Sequence, residues 1–93
     1  MIRTFRHKGL RRLFEEKDVR GVPPQMASKI RRMLAQLNVS ESPDDMGGMP
    51  GWRLHPLKGS RSGEWSVTVT GNLRIVFRFD GKDAVEVDLI DYH

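Results

Sequence analysis

Ninety-three residues suffice for one hydrophobic core, and the absence of cysteine excludes a disulfide framework or a thiolate metal site, as suits a reducing cytoplasm. Nothing approaches the roughly 20 apolar residues needed to span a bilayer, and the basic N-terminus is not followed by an apolar run of secretory length, so a soluble cytoplasmic protein without a membrane partner is expected. The net charge of +4 is uneven: residues 1–38 hold ten Lys or Arg and three acids, +7, and residues 39–93 hold six and nine, −3, which suits either a polyanionic or acidic partner or a solvated helix face.

Residues 2–6 alternate weakly and suggest an edge strand. Residues 8–16 place Leu10, Leu13 and Phe14 at helical spacing, predicting a first helix that ends before Gly21. Pro23 and Pro24 can open a second helix, because a proline in the first turn forfeits no hydrogen bond. Its apolar stripe is Met26, Ile30, Met33, Leu34 and Leu37, which leaves Arg11, Arg12, Arg31 and Arg32 toward water in an α-hairpin. Residues 38–51 read as loop, rich in Gly, Pro and acids, and "GGMPG" lacks the lysine and spacing of a phosphate-cradling loop.

From Trp52 the period becomes two. Four strands follow, with inward sets Trp52 and Leu54; Trp65, Val67 and Val69; Leu73, Ile75, Phe77 and Phe79; and Val85, Val87 and Leu89. The stretches 70–72 (TGN) and 80–82 (DGK) are hairpin turns, so the last three strands should form an antiparallel meander. The expected fold is α+β, with an N-terminal strand and an α-hairpin packed on one face of a mainly antiparallel sheet, in a single domain spanning residues 1–93.

That arrangement leaves Arg53, His55, Arg74, Arg78, Glu86, Asp88 and Tyr92 on the open face. His55 is held extended by Pro56 and can exchange a proton near neutral pH. A second cluster closes the sequence: Asp91 and His93 share one side of the last strand, and Tyr92 points to the side of His55 and Arg74. Lys58 and Arg74 supply cations, and Arg53 and Arg61 join them as candidates for RNA or phosphate binding. Singly, each residue reads as an ordinary surface group. Together they suffice for metal-independent RNA cleavage, in which a base deprotonates a 2′-hydroxyl, its oxygen attacks the neighbouring phosphorus and an acid protonates the leaving 5′-oxygen. His7, His55 and His93 lack the paired spacing of a zinc site, so no metal or cofactor is expected.

The stretch WRLHPLKGSRSGEWSVTVTGNLRIVFRF, the closing VDLIDYH and, near the start, FRHKGLRRLFE resemble the HigB-type toxins of bacterial toxin-antitoxin pairs, within the RelE/ParE superfamily, nearly end to end. The resemblance implies a RelE-like fold and a ribosome-dependent mRNA endonuclease silenced by a HigA-type helix-turn-helix antitoxin. It puts His55, Asp91, Tyr92 and His93 on the family's active-site positions, with Lys58 and Arg74 on its supporting cations. It implies the ribosome, its RNA and mRNA as partners. Leu73 stands where a Trp is expected and Ser60 where an acid is expected, which bears on base preference and loop contacts. Two other readings are a gyrase-inhibiting toxin of the same fold without nuclease chemistry and a plain nucleic-acid-binding module.

Overall fold

The computed structural model describes residues 1–92. Helix α1, Lys8–Glu16, starts where the Nδ1 of His7 accepts the Leu10 N–H at 3.1 Å, and it stops at Lys17, whose φ of 58° is left-handed. This imidazole serves as a helix cap, satisfying one of the unpaired N–H groups of the first turn. Pro24–Met26 form a 3₁₀ turn with proline at its first position and feed helix α2, Ala27–Val39. The expected stripe is seen: Ile30, Met33, Leu34 and Leu37 are fully buried, Ala27 joins them, and Met26 is partly covered. Among the described residues no helix is long and apolar enough to cross a membrane.

The helices cover one face of an antiparallel sheet ordered β1 (His55–Pro56), β2 (Trp65–Thr68), β3 (Leu73–Asp80) and β4 (Asp83–Asp91). The N-terminal segment adds to the free edge of β4 in parallel, through Ile2 with Ala84 and Phe5 with Val87, so the expected edge strand is present in outline. Its N–H groups at Arg3 and Arg6 each donate at 2.8 Å to carbonyls of β4. Beneath the helices lie Val67, Val69, Leu73, Ile75 and Phe77.

Three expectations are corrected. Val85 does not share the core with Val87; Ala84 takes that place. The register jumps between Val76 and Arg78, leaving Glu86 and Val87 together opposite Phe77, and Glu86 has a φ of 54°. One extra residue in a strand reverses which side chains face inward, and alternation in the sequence does not reveal it. The first strand is shorter than expected because Arg53 has a φ of 50°, although the Trp52 carbonyl still accepts the Thr68 N–H at 2.6 Å. Within the loop 38–51, Pro43–Met46 form a 3₁₀ turn that drives Met46 fully into the core.

The start of α1 lies directly against the linker before α2. A Cβ on Gly9 would meet the Gly21 carbonyl oxygen at 2.3 Å, and one on Gly21 would meet the Gly9 Cα at 2.6 Å. Helix propensity alone would favour alanine at Gly9 by about 1 kcal/mol, but displacing backbone is costlier. Gly9→Ala should therefore lower unfolding free energy by about 1–3 kcal/mol in urea titration. Gly48→Ala, whose Cβ would meet nothing within 4 Å, should change it by no more than about 0.5 kcal/mol.

Candidate active site

Strand pairing fixes what stands on the face away from the helices. His55 lies opposite Ser66, Ser66 opposite Val76, and Val76 opposite Asp88, one row across all four strands. The neighbouring row is Thr68, Arg74 and Ile90. Arg53, Leu54, His55, Ser66, Thr68 and Arg74 line an open cleft of about 280 Å³. Two guanidinium groups and an imidazole share this cleft, and among the described residues no carboxylate side chain is part of its wall. Such a lining attracts an anion.

Consecutive residues of a regular strand point to opposite faces, yet Arg53, Leu54 and His55 all contribute to the cleft. The left-handed turn at Arg53 permits this while Trp52 stays buried in the core. Pro56 lacks an N–H and keeps His55 extended at the edge of the sheet, where the imidazole is exposed. Arg74 lies deeper in the sheet. Its Nη1 donates to the carbonyls of Thr70 at 2.9 Å and Gly71 at 2.8 Å, and its guanidinium carbon stands 5.9 Å from the centre of the Tyr92 ring.

The structure thus brings His55, Arg53 and Arg74 together and sets Tyr92 beside Arg74. Asp91 of β4 pairs with Leu73 of β3, a core residue, so it belongs to the opposite side of the sheet at its rim, as the alternation implied. Lys58 is exposed at the start of the Gly59–Arg61 turn and is not part of the cleft wall. Arg61 also lies outside it, 3.2 Å from the carboxylate of buried Glu64, where it closes the 57–64 loop. His93 falls outside the described residues. Among those described, no three His, Asp or Glu groups gather where they could hold a metal ion. Ser66 and Thr68 were not singled out as site residues from the sequence; their place among the outward positions of β2, beside the strand of His55, was the available signal.

The family model for the RelE-like toxin of the type II toxin-antitoxin system HigB matches residues 3–93. The chain belongs to the HigB-like toxin family. A relative from Proteus vulgaris named Endoribonuclease HigB is 41% identical to the toxin over 93 residues, covering all of both chains. Among solved structures, a YafQ mutant from E. coli superposes with a TM-score of 0.61 at 13% identity, over 98% of the toxin and 93% of that chain. A copper-bound mutant toxin from Helicobacter pylori gives 0.55 at 13% identity, over 98% and 94% of the respective chains. A YoeB/ParE toxin from Agrobacterium tumefaciens gives 0.50 at 21% identity, over 77% and 78%. The toxin therefore has the α+β RelE-like fold, with two helices on a four-stranded antiparallel sheet.

The backbone at Arg53 gives a direct test of how the cleft wall is built. A β-branched side chain tolerates a left-handed φ poorly, so Arg53→Val should lower stability by about 1–3 kcal/mol. Arg53→Gly should stay within about 1 kcal/mol of the parent, since relief of the backbone offsets glycine's greater chain entropy. Denaturant titration of the two variants checks the pair.

Proposed function

We propose that this toxin is a cytoplasmic endoribonuclease that cuts mRNA on the ribosome and is silenced by a HigA-type helix-turn-helix antitoxin. The observation that carries the reading is the cleft itself, in which His55 shares an open wall with Arg53 and Arg74. The 41% identity with a full-length relative named as an endoribonuclease supports it.

In the reaction, a base takes the proton of the 2′-hydroxyl, and the freed oxygen attacks the adjacent phosphorus. The bond to the 5′-oxygen breaks, and that oxygen leaves with a proton from an acid, giving a 2′,3′-cyclic phosphate and a 5′-hydroxyl end. His55 and His93 are the acid and base pair, and Asp91, at the rim of the sheet, orients an imidazole or accepts a proton. Tyr92 stacks on a base or positions the 2′-hydroxyl. Arg53, Lys58 and Arg74 stabilise the negative charge that grows on the phosphoryl oxygens. The cleft is open on one side, and ribosome-bound message would complete it.

Helix α2 supplies a second positive surface. Its sequence, ASKIRRMLAQLNV, holds no acid, and Arg31 and Arg32 line a shallow groove with Ser28 and Ala35. This suits ribosomal RNA, whose phosphates release counterions when neutralised. Changing both Arg31 and Arg32 to alanine should weaken ribosome binding and reduce the slope of log affinity against log salt by about 1–2. An unchanged slope in a filter-binding titration would remove α2 from the interface.

The decisive experiment is induced expression without antitoxin, followed by mapping of mRNA 5′ ends. The parent should create new ends inside coding sequences. His55→Ala and His93→Ala should lower cleavage about 10²- to 10⁴-fold while remaining folded by circular dichroism. Undiminished cleavage and growth arrest in both variants would refute the assignment.

A further inference from the structure

Three consecutive carbonyls of the turn between β2 and β3 accept hydrogen bonds from Arg74 and Tyr92. Those of Thr70 and Gly71 accept from the Nη1 of Arg74, at 2.9 and 2.8 Å, and that of Asn72 accepts the Tyr92 N–H at 2.8 Å. Both hydrogens of Nη1 are thereby engaged, which fixes the plane of the guanidinium. The guanidinium carbon stands over the Tyr92 ring, 5.9 Å from its centre, within cation–π range. Tyr92 lies just past the last residue of β4, is 42% exposed and is not among the residues packed on the core. Among the described contacts of Tyr92 are its backbone hydrogen bond to Asn72 and the Arg74 guanidinium over its ring.

We propose that Arg74 is a positioning residue for Tyr92, acting through its cation–π contact with the ring and its anchors on the Thr70 and Gly71 carbonyls, in addition to its charge at the phosphate. The proposal rests on the nuclease reading of the cleft. Arginine presents a rigid planar fork that two carbonyls and an aromatic face can hold at once, whereas the ammonium of lysine is a point charge on a flexible stem. A charge-only role would be served by either side chain. A positioning role is served by arginine alone. The turn, Arg74 and Tyr92 then form one unit, and the ring face turned away from the guanidinium is held ready for a base or ribose.

Tyr92 is the only tyrosine in the chain, so tyrosine labelled with carbon-13 reports on this ring without an assignment experiment. The parent, Arg74→Lys and Arg74→Gln should be compared twice: as free protein by NMR of the labelled ring, and on ribosomes programmed with a defined message for kcat and KM. In both variants the Tyr92 ring signals should move toward those of an unstructured tyrosine, while amide signals of β3 stay in place. A misplaced ring affects the reaction more than capture of the message, so kcat should fall about tenfold to a hundredfold with KM changed less than about threefold. Failure of lysine to rescue kcat supports positioning. Ring signals unchanged in Arg74→Lys, or kcat restored by lysine, would overturn it. If the parent itself cleaves no message, the nuclease reading fails, and the ring signals still decide whether Arg74 sets Tyr92.

Discussion

Antiparallel register is the constraint on which the cleft depends. Pairing of Val67 with Ile75 and of Ile75 with Leu89 turns an apolar row toward the helices, and the same pairing turns Thr68, Arg74 and Ile90 to the open face. A slip of one residue would reverse both rows, exposing Ile75 and Phe77 and driving Arg74 into the core. Each of those apolar side chains gains about 1.5–3 kcal/mol from burial, so a slip forfeits several kcal/mol before any charge is buried. Packing under the helices thus fixes the position of charged groups on the other side of the sheet.

Two departures from regular strand geometry refine that arrangement. The left-handed residue at Arg53 lets three successive residues meet the cleft while Trp52 stays in the core. The bulge at Glu86 acts at longer range. Ala84 faces the helices, and unbroken alternation from it would send Tyr92 inward and Asp91 to the cleft side. The extra residue resets the alternation, so Val87 and Leu89 pack inward and Tyr92 comes to stand beside Arg74. Ion pairs of Glu86 with Arg6 at 3.5 Å and Arg78 at 3.6 Å surround the bulge, though at this exposure such pairs contribute at most about 1 kcal/mol each.

Much of this was legible in the sequence. The α2 stripe, the switch of period after Gly51 and the two hairpin turns gave the helices, the strands and the open face bearing His55, Arg53 and Arg74. The family resemblance carried the chemistry. What escaped was local and lacked a compositional mark: valine outranks alanine as a core residue, so nothing favoured Ala84 over Val85. An arginine in left-handed conformation carries no signal such as glycine would. Likewise, a basic loop residue looks the same whether it meets a phosphate or, like Arg61, a buried Glu64. Met46 was hidden in a segment whose prolines, glycines and acids read as loop.

In the proposed reaction, the cleft makes the 2′-oxygen of the message attack its own phosphodiester bond. That attack is tested most directly with purified toxin and programmed ribosomes, using a message in which the nucleotide before the cleaved bond is replaced by its 2′-deoxy form. The deoxy position should remain intact while the all-ribose message is cut to a 2′,3′-cyclic phosphate and a 5′-hydroxyl. Cleavage of the deoxy position at the same rate would rule out attack by the 2′-oxygen.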